Sequence, residues 1–204
     1  MNQYVRLARL FFDLAAISLV LIAQNPGGSN AQQPVGPDRG QRVPEVRGTV
    51  FAVTNTADDG RGSLRRAIAD ANASPNQRAL PDRIIFNIEG SAPHVIRLYA
   101  ALPAITDPVV LDGTVELDGS WLKEADGIVL RCGASTIRGL TLRGFPGDAV
   151  RIVDGGGNVV EGNRIGGNGG HGIAIVSSSR NRIGGTSPES QNEIEGNGLS
   201  GVFV

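Results

Sequence analysis

The chain has 204 residues, among them 29 glycines but one tryptophan, two tyrosines, one methionine and one cysteine. Its core must therefore be aliphatic and its turns frequent, and the single cysteine rules out a disulfide within the chain. A formal charge of -1 and a pI near 6.1 supply no basic field, which excludes nucleic acid as the expected partner.

The amino end places Arg6 and Arg9 ahead of an apolar stretch from Leu14 to Ala23, followed by Pro26, Gly27 and Gly28. That stretch is too short for the roughly 20 residues needed to span a bilayer. Ser29-Asn30-Ala31 offers the small residues signal peptidase requires, so residues 1–31 are expected to be an export signal cleaved after Ala31, with Asp13 as a departure from the pattern. Residues 32–48 carry Pro34, Pro37 and Pro44 among polar residues and read as a disordered linker. The remainder, about 170 residues, is the size of one domain.

Residues 49–113 read as a strand, a glycine turn and a helix, followed by short strands. Ser63 is a good N-cap, and Leu64, Ala67, Ile68 and Ala71 fall on one helical face, with Arg66 and Asp70 one turn apart on the other. Strands are expected in 82–88, 95–98 and 109–113, as the first and irregular coils of a solenoid. The helix is expected to close its open end, where apolar core and strand edges would otherwise meet water.

In residues 114–204 one register returns four times: Gly127-Ile128-Val129-Leu130, Ala149-Val150-Arg151-Ile152, Gly172-Ile173-Ala174-Ile175 and Gly201-Val202-Phe203-Val204. The starts are 22, 23 and 29 residues apart, the spacing of one coil per repeat. A second segment recurs in phase, aligning Ile137, Val160 and Ile183, and Leu142, Ile165 and Ile194, so two strands are expected per turn. Leu140, Asn163 and Asn192 align between those positions, and Phe145, Asn168 and Asn197 beyond them, which predicts asparagine ladders. The longest spacing holds a 23-residue coil plus six residues within Gly184 to Gln191, expected as a protruding loop. Alternating apolar residues with Gly or Asn breaks every ten or so residues favour strands over helices. The fold expected is all-β, a right-handed parallel β-helix with an amino-terminal capping helix. Val202-Phe203-Val204 stops within a strand without a polar cap, which predicts the start of a longer solenoid, truncated here, that joins downstream coils or self-associates through its open edge.

Phe51 to Asn72, with its Val-Thr-Asn-Thr, Gly-Ser-Leu-Arg and Ala-Asn segments, resembles the amino-terminal module of secreted bacterial right-handed β-helix repeat proteins. Leu102 to Thr106 and Leu111-Asp112-Gly113 continue the likeness, and 158–165, 168–173 and 181–186 are similar to that family's coils. The resemblance spans roughly residues 49–204 and implies the pectin-lyase-like superfamily, where polysaccharide lyases and hydrolases stand beside members without assigned chemistry. Fold alone therefore implies no reaction.

A lyase of this kind would join calcium-bound carboxylates to an arginine or lysine base. The acidic candidates are Asp112, Asp118, Asp126, Asp148 and Asp154, of which all but Asp148 precede glycine, where an Asx turn accounts for them. Asp148 aligns with His171 and Ser200, a tolerant polar turn site. Gly170-His171-Gly172 is similar to a polygalacturonase motif, but lacks the paired aspartates before it and the Arg-Ile-Lys after it, so His171 reads as a turn residue. Asp148, His171 and Arg151 are the residues on which catalysis would rest. Arg131 and Arg151, with Arg138 and Arg143, are expected on a solvated outer face; if Arg131 and Arg151 line one sheet, they are the candidates for binding an acidic glycan. The glycine-rich runs at 155–158 and 166–170 lack the aspartate of calcium-binding β-rolls, so no metal or cofactor is expected, calcium entering only under the lyase alternative. Cys132 alternates with Ile128 and Leu130 and should point inward as a small hydrophobe. The function expected is an exported, non-catalytic scaffold contacting carbohydrate at a cell surface. A polysaccharide lyase or hydrolase and a purely structural solenoid are the alternatives.

Overall fold

The computed structural model describes residues 48–76 and 80–204. The expected export signal, 1–31, and all of the expected linker except Gly48 lie outside the described residues. The chain opens with β1 (Val50–Val53) and helix α1 (Leu64–Asn72), and the first coil contributes β2 (Asp82–Phe86) and β3 (Val95–Arg97). Each later coil carries three strands. The second has β4 (Val109–Asp112), β5 (Glu116–Asp118) and β6 (Ile128–Leu130); the third has β7 (Thr136–Arg138), β8 (Thr141–Arg143) and β9 (Val150–Val153). The fourth has β10 (Val159–Glu161), β11 (Arg164–Gly166) and β12 (Ile173–Val176); the fifth has β13 (Arg182–Ile183), β14 (Glu193–Glu195) and β15 (Val202–Phe203).

Equivalent strands pair in parallel and build three sheets: a first of order β1-β2-β4-β7-β10-β13, a second of order β14-β11-β8-β5-β3, and a third of order β15-β12-β9-β6. The result is a parallel β-solenoid. The expectation of two strands per turn is corrected to three, because the second segment is broken by a two-residue bend. Gly139 takes φ +77° between β7 and β8, and Gly162 takes φ +63° between β10 and β11. A Cβ at Gly139 would come within 2.9 Å of the Gly113 carbonyl oxygen, so glycine answers both the dihedral and the close approach there.

Register fills the core like upon like. Ile84, Leu111, Ile137 and Val160 stack in the first sheet, Ile96, Leu117, Leu142 and Ile165 in the second, and Ile128, Val150 and Ile173 in the third, all buried. Each such side chain contributes about 1.5–3 kcal/mol of burial. Cys132 is inward and buried, with its Sγ 3.3 Å from Ser135 Oγ. Burial pushes its thiol up, the hydroxyl contact opposing, so it stays a protonated packing group.

Both expected asparagine ladders are present. The Leu140 amide donates to Asn163 Oδ1 at 3.1 Å, and the Asn163 amide to Asn192 Oδ1 at 3.0 Å. Phe145, Asn168 and Asn197 repeat the pattern at 3.0 and 3.2 Å. A third column, unexpected from the sequence, precedes the first sheet: Val109, Ser135 and Asn158 each donate their amide to the side-chain oxygen one coil on, at 3.1, 3.0 and 3.0 Å, ending at Asn181. Side-chain amides thus satisfy buried turn backbone that no strand partner reaches.

Helix α1 starts at Ser63, whose Oγ accepts the Arg66 amide at 3.2 Å, and it buries Leu64, Ala67, Ile68 and Ala71 against β1 and β2. Arg66 and Asp70 pair at 2.9 Å on its outer side. Between β13 and β14, the inserted residues form the expected loop, with Thr186 to Glu189 exposed and a 3-10 turn at Pro188–Ser190.

Candidate functional site

Asp126, Asp148, His171 and Ser200 precede β6, β9, β12 and β15 and form one column at a corner of the solenoid. Asp126 Oδ1 accepts the Asp148 amide at 2.8 Å, and Asp148 Oδ1 accepts the His171 amide at 2.7 Å. The Ser200 amide donates to His171 Nδ1 at 3.1 Å, so the geometry assigns the imidazole proton to Nε2. The imidazole also stacks on Phe203, with centroids 4.7 Å apart and planes 18° from parallel. Arg151 reaches back from β9 to Asp148 Oδ2 at 2.8 Å and lies 3.8 Å from Asp126 Oδ2.

The structure therefore does bring Asp148, Arg151 and His171 together. It does so with each Asp148 oxygen already accepting a hydrogen bond and with the guanidinium between two carboxylates. A general base needs an oxygen within hydrogen-bond reach of a substrate proton. Here the Asp148 side chain is 6% exposed. The other acidic candidates stand apart. Asp112 lies on the first sheet, 2.5 Å from Arg138; Asp118 lies on the second, 3.4 Å from Arg143; Asp154 follows β9 at φ +67°, 3.9 Å from Arg131. Only Asp118 makes the local Asx turn, accepting the Ser120 amide at 3.0 Å. The others are used across coils. Among the described residues no three His, Cys, Asp or Glu side chains converge on a metal-sized site.

Arg131 and Arg151 share the outward register of the third sheet, on neighbouring coils and two residues out of step. Both are partnered, Arg131 by Asp154 and Arg151 by Asp148 and Asp126. The same holds on the other outer faces. Arg143 bonds Glu116 at 2.5 Å, Arg164 pairs with Glu193 at 3.1 Å and Arg182 with Glu161 at 2.8 Å. Each exposed pair contributes little to stability, but together they cancel the arginine rows. Sequence reasoning missed this pairing; the signal was there in opposite charges one coil apart, as at Asp112 and Arg138.

Asp118 has the best defined electrostatics. Burial pushes its carboxyl up, but hydrogen bonds from Ser120 and the charges of Arg143 and Arg97 outweigh it and hold the group below the usual carboxylate range. A group depressed in the folded state contributes stability that is complete above its unfolded value and lost as pH falls through the folded one. Asp118→Asn is accordingly expected to lower the thermal midpoint at neutral pH, and to flatten its decline as the pH falls below the unfolded value of 3.8. Parallel pH profiles of the two proteins would show no separation were the pairing without effect.

Fold and geometry define a parallel β-solenoid of the repeat type, and residues 111–204 match the family model described as a right handed beta helix region. No curated protein matches the sequence.

Proposed function

We propose that the protein is an exported, non-catalytic β-helix scaffold that contacts carbohydrate at a cell surface. The observation that carries this reading is the state of the Asp148 carboxylate: both oxygens are engaged, by the His171 amide and by Arg151, its neighbour Asp126 is likewise engaged by the Asp148 amide and Arg151, and Asp112 and Asp118 lie on other sheets. The residues on which a lyase or hydrolase would depend are spent in joining coils. Export rests on the apolar leader from Leu14 to Ala23, and the closing of the amino-terminal coil on helix α1, which buries its apolar face on β1 and β2. Arg131, over half exposed, and Arg151 are each paired with aspartates, so this face offers a glycan alternating guanidinium and carboxylate groups for its hydroxyls.

A structural role for the fifth coil has its own support. Leu199, Val202, Phe203 and Val204 are exposed on the fifth coil, and the buried Asn197 Nδ2 has no hydrogen-bond partner among the described residues. This face fits another β-layer, either further coils or a second copy.

The test is to incubate the full chain with acidic and neutral polysaccharides and calcium, following absorbance at 235 nm, reducing ends and retention on immobilised glycan. Retention without products is the expected result. Unsaturated products or new reducing ends that disappear in Asp148→Asn would establish the enzyme alternative instead.

A further inference from the structure

The exposed large hydrophobic side chains of the described residues are Val50, Tyr99, Trp121 and four residues of the fifth coil. Tyr99 and Trp121 thus form an isolated aromatic pair on the flank of the solenoid, 62% and 64% exposed. They lie 22 residues apart in sequence and one coil apart in space, and their ring centroids are separated by 6.0 Å with planes inclined by 53°.

Both are held by anchored backbone. Tyr99 sits between the buried Leu98 and Leu102, and the next two carbonyls, Ala100 and Ala101, accept from Arg65 of α1 at 2.8 and 2.5 Å. Arg65 is itself fixed by Asp58 at 2.6 Å. Trp121 is at the apex of a turn closed by the Leu122 amide on the Gly119 carbonyl at 2.9 Å and by the Ser120 amide on Asp118. Leu122 packs on the core. A rigid loop that holds a large apolar ring in water forgoes its burial, which marks a contact site.

We propose that Tyr99 and Trp121 form a stacking platform for a pyranose unit of a polysaccharide. The C–H face of a pyranose carries partial positive charge and complements the negative face of an aromatic ring. Its hydroxyl edge meets the exposed Arg97, Ser120, Lys123 and Glu124. The surrounding Ala100 and Ala101 are small, so the apolar surface suits one or two sugar rings and falls well short of the roughly 800 Å² per partner of a protein interface. A cage for a quaternary ammonium needs rings on several sides; two inclined rings give an open floor. The choice of ligand rests on the carbohydrate-contact reading, whereas the site itself rests on the geometry of the two loops.

Because Trp121 is the only tryptophan of the chain, its fluorescence reports the site directly. The full chain is titrated with a soluble neutral β-glucan and with polygalacturonate, following indole emission and acrylamide quenching, with affinity electrophoresis as a second measure of binding. Binding of either glycan should shift emission to the blue and reduce quenching. Tyr99→Ala and Trp121→Ala should each weaken retention roughly tenfold, while Trp121→Phe retains most of it. Retention with unaltered emission, and undiminished in Trp121→Ala, would overturn the platform and leave the scaffold reading standing. Absence of retention on any glycan would overturn both.

Discussion

Replacing Asn163 by leucine, the residue that its own column carries at position 140, is expected to destabilise the protein by about 2–4 kcal/mol despite the similar volume. Asn163 Oδ1 accepts the Leu140 amide, and its Nδ2 donates to the carbonyls of Ile137 and Glu161 at 3.0 Å and to Asn192 Oδ1 at 3.1 Å. Leucine would leave the Leu140 amide without a partner in a buried turn and remove the side-chain donor shared by the Ile137 and Glu161 carbonyls. The cost of an unmade buried bond exceeds the net gain of making it, which is why the loss is larger than a simple hydrogen-bond count suggests. Urea unfolding followed by far-ultraviolet circular dichroism measures it. A change under about 1 kcal/mol would mean that apolar filling alone sustains the turn.

Phe145→Ala is expected to cost about 3–5 kcal/mol, the usual range for emptying a buried aromatic site. The ring is 1% exposed and lies against Gly119 and Gly127, where an added Cβ would come within 2.4 and 3.0 Å of it. Those two glycines bracket the loop that carries Trp121. The cavity would therefore open directly beneath that loop, and the variant should combine a lower thermal midpoint with greater acrylamide quenching of the indole. A lowered midpoint with unchanged quenching would show that the loop is held by Leu122 and the Ser120–Asp118 bond alone.

Coil spacing, inward positions, both asparagine ladders, the helix with its Ser63 cap and the loop after β13 were all legible in the sequence. Each is a repeated or strictly local pattern. The third strand was not legible, because a bend of only Gly139 and Leu140 leaves Ile137 and Leu142 close enough to look like one segment. Nor was the third ladder, since Ser135, Asn158 and Asn181 differ in kind at its first step and lie just outside the strands. At the candidate site, the alignment of Asp148 with His171 and Ser200 was visible, but its extension to Asp126 and the clamp from Arg151 depend on how a corner folds. The aromatic pair escaped notice because Tyr99 and Trp121 belong to the irregular coils; the signal that would find them is their separation by one coil period.

The ladder asparagines carry acceptor and donor on one side chain, and in every column the amide of one coil meets the oxygen of the next. Each coil is thus both socket and plug. Gain or loss of an entire coil of 23 residues would rejoin these columns without altering the cross-section. An insertion at the bend after the first sheet is looped out, as between Ile183 and Ile194, where Ile194 and Val202 still pair with Ile165 and Ile173; a one-residue insertion within a strand would instead turn the rest of that strand's side chains to the wrong face. Tolerance to duplication thus lies in the columns between coils, and intolerance to slippage in the alternation within each strand.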